Sequence, residues 1–125
     1  MIQKFAWLAL AGALGALARY GLAGLVQRFS GGSFPWGTLV VNLLGCFVAG
    51  LLWGMFEKRG VVTALPRTVL LVGFLGAFTT FSTMILETTE MLRASELMYA
   101  TANLTLQNGV GLAAIFAGTM LGRMI

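Results

Sequence analysis

Residues 73–84 read Gly73-Phe74-Leu75-Gly76-Ala77-Phe78-Thr79-Thr80-Phe81-Ser82-Thr83-Met84, in the middle of an apolar run from Thr68 to Leu86. A run of that length approaches the ~20 residues with which a helix crosses a hydrocarbon core. Two glycines weaken the helix here, and four hydroxyl residues in five positions, Thr79 to Thr83, offer the backbone competing hydrogen bonds. A break is therefore expected near Gly76 to Thr80. Irregular backbone at bilayer depth survives only where protein buries it or where it lines a wet cavity. The carbonyl oxygens freed by a break are hard ligands of the kind discontinuous helices use to hold Na⁺. The alternative is that each hydroxyl bonds back to the preceding turn and the helix only bends.

Three more apolar runs flank this one, Phe5 to Val26, Gly37 to Phe56 and Leu97 to Gly122, and Arg19 is the only charged residue in any of the four. The fold expected is all-α and membrane-embedded, one domain over 1–125 with spans at about 5–26, 37–56, 68–90 and 97–122. Composition agrees: 58% of residues are hydrophobic and 10% charged, where soluble domains carry charge on about a quarter. The mean hydropathy is +0.91. With so little chain outside the spans, no soluble domain fits, and one copy is too small to enclose a pathway. The first run is too long for a signal-peptide core and is expected to be retained. Cys46 is the single cysteine, which excludes an intramolecular disulfide and a cysteine metal site, and histidine is absent. The net charge of +4 sits mostly at span ends, where it meets lipid headgroups rather than nucleic acid.

The connections, 27–36, 57–67 and 91–96, are short, so neighbouring spans are expected to pack as hairpins. With four spans, both termini share a side with the middle connection. That side carries Lys4, Lys58, Arg59, Arg67 and Arg123, against Arg28 and Arg93 opposite, with Arg19 part-way into the first span. This modest bias leans towards cytoplasmic termini yet permits insertion both ways up. Two oppositely inserted copies form an antiparallel dimer, the two-chain version of an inverted repeat. Gly50 and Gly54, and likewise Gly118 and Gly122, have the spacing that lets helix backbones approach closely. Trp7, Trp36 and Trp53 read as interfacial anchors.

Other polar groups inside spans are Asn42, Asn103, Gln107 and Asn108; Asn103 and Gln107, four apart, share a helix face. Such amides commonly join helices. Glu87 and Glu90 fall at or beyond the end of the third run, and the other spans have no acidic residue. A proton-coupled cation exporter keeps a carboxylate at its binding site, and none is placed to serve here.

Three segments together carry a family resemblance: Gly12-Ala-Leu-Gly15-Ala-Leu-Ala-Arg19-Tyr20, Gly37-Thr38-Leu-Val-Val-Asn42-Leu-Leu-Gly45, and Gly73-Phe-Leu-Gly76-Ala-Phe-Thr79-Thr80-Phe81-Ser82-Thr83. In order and spacing the chain resembles the Fluc (CrcB) family of small microbial fluoride channels over its whole length. The fourth span matches mainly in length and polar positions. The resemblance implies an antiparallel homodimer in a microbial, bacterial-type plasma (inner) membrane, passing fluoride passively out of the cell without enzymatic activity. Two fluoride pathways would run along the subunit interfaces around a central structural Na⁺ that is not transported. The Na⁺ ligands would be the backbone carbonyls of Gly76 and Thr79. Phe81, Ser82, Thr83 and Asn42 would line the fluoride pathway, with Arg19 near an aqueous vestibule and Asn103 and Gln107 as a candidate polar track in the fourth span.

One position departs from the family pattern. Met84 stands where a second pore phenylalanine is expected, and it is read as an introduced substitution, with natural variation as the alternative. Methionine fills comparable space but offers an anion no positive ring edge. Chemically the assignment fits, because a selective fluoride pore must replace a tight hydration shell with donors and positive edges without trapping the ion. Two rivals remain at this level: a dual-topology small multidrug exporter, disfavoured because Arg19 stands where such proteins have a glutamate, and a non-conducting membrane assembly subunit.

Overall fold

Large apolar side chains cover much of the outside of these helices, so the protein has little interior of its own. The computed structural model describes residues 1–60 and 63–125. Among the described residues are four helices long and apolar enough to cross a membrane. The first is α1 (Ile2–Ser30) and the second α2 (Trp36–Arg59). The third is interrupted: α3 comprises an α-helical turn Ala64–Thr68, a π-helical stretch Val69–Phe74 and a short α-helical piece Leu75–Phe78, and α4 (Phe81–Arg93) follows the gap. The last is α5 (Leu97–Met124).

The helices run past the apolar runs into the polar flanks, which shortens the connections relative to the sequence reading. Each end has a local cause. Gly31 and Gly60 take positive φ and donate their N–H groups to Gln27 and Phe56 carbonyls, closing α1 and α2. Gln27 then clamps the first connection: its Nε2 donates to the Phe34 carbonyl at 3.1 Å and its Oε1 accepts from the Gly37 N–H at 3.1 Å.

The most extensive packing joins α2 to α5, spans that are not neighbours in sequence. The two small-residue motifs explain this. A Cβ on Gly50 or Gly54 would run into the backbone at Ile115 and Thr119, and one on Gly118 or Gly122 into the backbone at Phe47 and Leu51. Backbone therefore lies against backbone along this seam, where lipid provides no hydrophobic drive and close van der Waals contact must substitute. On the other side α1 packs against α3, with Gly15 seated on the Phe74 carbonyl.

Two small apolar clusters result. Phe34, Leu39, Met91 and Ala100 fill one end, and Val41, Leu75 and Phe78 fill the space beside the gap in the third span. Elsewhere large apolar side chains such as Leu14, Leu17, Leu44, Leu112 and Phe116 face outward, as expected where the solvent is lipid or a second copy. The three tryptophans are partly exposed, and the Arg67 guanidinium lies 4.1 Å from the ring centroid of Trp53.

Candidate functional site

The helix ends at Phe78 because the next two residues leave helical geometry: Thr79 sits at φ −84°, ψ 157° and Thr80 at φ −149°, ψ 114°. Two extended residues strand several backbone groups that a continuous helix would pair. Most find side-chain partners. The Arg19 Nε, reaching across from α1, donates to the Ala77 carbonyl at 3.0 Å and places positive charge at the C-terminal end of α3, the end the helix dipole makes negative. Thr79 bonds back, its N–H and its hydroxyl both reaching the Leu75 carbonyl at 3.0 Å. Thr80 caps α4, its Oγ1 accepting from the Thr83 N–H at 3.2 Å and pairing with the Thr83 hydroxyl at 2.9 Å.

Asn42 holds the gap from the α2 side. Its Oδ1 accepts from the Thr80 N–H at 2.7 Å, and its Nδ2 donates to the Thr80 carbonyl at 3.0 Å. The second Nδ2 hydrogen goes to Gln107 Oε1. Gln107 Nε2 in turn donates to Asn103 Oδ1 at 2.8 Å, and Asn103 Nδ2 donates to the Thr88 hydroxyl at 3.0 Å and to the Met84 carbonyl at 3.4 Å. The Thr88 hydroxyl completes the chain on the Met84 carbonyl at 2.7 Å. Asn103 is fully buried and Gln107 is 7% exposed. A run of amides thus connects the broken third span to α4 through α2 and α5.

The polarity of this run is fixed at both ends. The Thr80 N–H can only donate and the Met84 carbonyl can only accept, so every amide between them is held one way round.

Two of the freed carbonyls are left differently. The donor that a helix would bring to the Gly76 carbonyl, the Thr80 N–H, is taken by Asn42, and the donor for the Thr79 carbonyl, the Thr83 N–H, is taken by Thr80. Those two oxygens suit a hard cation, which accepts carbonyl ligands. One protomer supplies too few of them for a closed coordination shell.

The surface around the gap carries two hollows. A groove of about 350 Å³ is lined by Asn42, Gly76, Thr79, Thr80, Phe81, Met84 and Gln107, among others, and so gathers most of the residues singled out in the sequence. A second cleft, of about 590 Å³, is lined by Arg19, Arg28, Thr38, Thr80 and Thr83 with apolar neighbours. Arg19 therefore caps the helix and lines a basic cleft at once. Phe81 is 71% exposed and Ser82 is also exposed, whereas Met84, one turn on, is buried in the protomer at 4%. Ser82 lines neither of the two hollows.

Several contributors were not singled out from sequence: Thr80 as cap and bridge, Thr88 as the end of the amide run, and Thr38. The Thr38 hydroxyl donates to Glu87 at 2.6 Å, while the other Glu87 oxygen is buried without a partner among the described residues. Hydroxyls at 79–83 were visible as a cluster; which of them caps and which bonds back depends on where the extended residues fall.

Comparison with known proteins bears on the whole chain. Residues 6–119 match the family described as CrcB-like protein, Camphor Resistance (CrcB). A protein of Desulforapulum autotrophicum named fluoride-specific ion channel FluC is 58% identical over 125 residues, covering all of both chains. Proteins of the same name from Nitrosococcus oceani and Solidesulfovibrio magneticus are each 51% identical, again over the full length of both chains. With four membrane-length helices, an interrupted third span and this full-length match, the chain belongs to the CrcB family.

Proposed function

We propose that this protein is a fluoride channel, a multi-pass protein of a bacterial plasma membrane through which fluoride leaves the cell passively. The observation that carries the reading is the break at Thr79 and Thr80, set in an apolar span and surrounded by hydroxyls, amides and an exposed phenylalanine, in a chain that matches fluoride-specific relatives end to end. Such a lining suits a small anion with a tight water shell: it supplies donors and a positive ring edge in place of water, and it keeps full charges such as Arg19 to the side.

The working unit in this reading is an antiparallel homodimer. The groove that gathers the break residues is open along the protomer, so a second copy is needed to close it. Phe81, Ser82, Thr83 and Met84 line the fluoride path, Arg19 borders its vestibule, and Gln107 forms the fourth-span side with Asn103 buried behind it. Asn42 sits at the edge of the path, where both of its N–H groups are committed to Thr80 and Gln107.

A structural Na⁺ rests between the two breaks. The Gly76 and Thr79 carbonyls would hold it, four oxygens from two copies, and its charge would offset negative potential near the path without entering it. Support comes from the diversion of both helical donors to other acceptors.

Growth tests the function: a bacterial strain lacking its own fluoride export and carrying this gene is expected to grow in millimolar fluoride, and growth no better than an empty vector would contradict it. Labelling of single cysteines placed at the termini tests the dimer, with labelling from both sides of the membrane expected.

A further inference from the structure

One hollow lies away from both the groove at the break and the Arg19 cleft, and shares no lining residue with either. It measures about 280 Å³ and is lined by Phe34, Trp36, Tyr99, Ala102 and Leu106, with Ser33 at its rim. Leu106 here and Asn108 in the groove are two residues apart on α5, about 200° around the helix. The hollow therefore opens on the flank of α5 that a second copy closing the groove leaves to lipid. Both helices that wall it begin here, α2 at Trp36 and α5 at Leu97, which sets it at the depth where Trp and Tyr meet headgroups. Its chemistry suits a cation. The Phe34 ring centroid lies 4.7 Å from that of Trp36 and 5.7 Å from that of Tyr99, and grouped aromatic faces attract an ammonium. At the rim the Ser33 hydroxyl donates to Glu96 Oε1 at 3.4 Å, and among the described residues the Glu96 carboxylate meets no cation. Glu96 precedes Tyr99 by three residues, so carboxylate and ring share one side of the start of α5.

We infer that this aromatic hollow binds the headgroup of an ammonium-bearing phospholipid, phosphatidylethanolamine. The ammonium rests against Trp36 and Tyr99 and donates to Glu96, and the upper part of one acyl chain lies over Ala102 and Leu106. Trp36 and Tyr99 are 41% and 44% exposed, which leaves ring surface for the headgroup to cover. An anionic headgroup would bring its phosphate towards Glu96 with no ammonium to offset the repulsion. The wider charge pattern agrees: Glu87, Glu90 and Glu96 outnumber Arg28 and Arg93 at this end of the spans, whereas the opposite end is basic. The site needs only a membrane around the protein and plays no part in passing fluoride. In an antiparallel pair each leaflet holds one such site, so both orientations of the chain are served.

Trp36 itself reports its neighbour. With Trp7→Phe and Trp53→Phe it is the only tryptophan left, and a brominated acyl chain quenches it on contact. In bilayers of equal phosphatidylethanolamine and phosphatidylglycerol, quenching with bromine on one lipid and then on the other gives the local ratio of the two. That ratio should favour the ethanolamine lipid by about 2- to 5-fold, the range expected of an ammonium on partly exposed rings. Glu96→Gln and Tyr99→Leu should each bring it towards parity. Should the tryptophan-reduced protein fail to fold, native mass spectrometry of the unsubstituted protein drawn from the same mixture should find the ethanolamine lipid retained over the glycerol lipid, with the preference lost in Glu96→Gln. Equal association of the two lipids, or a preference that survives both substitutions, would overturn the inference. So would a Trp36 that neither lipid quenches, which would place a second copy over the hollow.

Discussion

Replacing Asn42 with leucine removes the one side chain that bonds both backbone groups of Thr80. Three hydrogen bonds go: the Thr80 N–H at 2.7 Å, the Thr80 carbonyl at 3.0 Å, and the link to Gln107. In a water-soluble protein each buried group left unpaired costs about 1–3 kcal/mol. Interhelical bonds in membranes average nearer ~0.6 kcal/mol, because the unfolded chain in lipid also finds partners. Weighing the two scales over three bonds gives an expected loss of about 2–4 kcal/mol. Part of it can be recovered if the Thr80 N–H returns to the Gly76 carbonyl and the third span straightens, but that closes off one of the two free carbonyls and with it the proposed cation site. Asn42→Leu should therefore unfold more easily in detergent and lose fluoride flux in liposomes. A variant within about 0.5 kcal/mol of the parent, with flux unchanged, would refute the claim that Asn42 holds the break.

Further outcomes follow from other contacts. Gly118→Ala pushes a methyl into the Phe47 backbone on the α2 to α5 seam and should lower stability by about 2 kcal/mol or more, read as a drop in Tm. Arg19→Ala leaves the Ala77 carbonyl and the end of α3 without their cation and should cost about 1–3 kcal/mol, with Arg19→Lys recovering part of the loss in the same unfolding assay. Met84→Phe supplies a ring edge beside the groove and should raise fluoride flux roughly 5- to 30-fold with assembly retained, measured side by side under one gradient. Replacing all Na⁺ by a large organic cation should abolish flux, whereas Thr79→Ser, which keeps the backbone carbonyl, should be mild.

The four helices were legible from run length alone, because nothing but a membrane accommodates so much apolar chain. The break was legible too, from Gly73 and Gly76 followed by hydroxyls. Its exact site at Thr79 and Thr80 was not, since Thr79 bonds back to Leu75 as a merely bent helix would while Thr80 turns outward to Asn42. Nor does the sequence disclose that Arg19 caps Ala77, as this requires knowing that α1 lies beside α3. The shared face of Asn103 and Gln107 followed from their spacing of four; that they continue a line from Asn42 depends on the α2 to α5 seam, which joins spans distant in sequence. Glu87 read as the outer end of its span, yet the structure turns it towards Thr38. Side chains that bridge non-neighbouring helices are the part that patterning along one chain cannot convey.

Fluoride and chloride efflux from liposomes containing only this protein is the most direct test of the central claim. With matched potassium salts inside and an ionophore to carry the balancing potassium, fluoride should leave at a rate proportional to protein while chloride stays. Retention of fluoride, or release of both anions alike, would contradict a selective pathway at the broken third span.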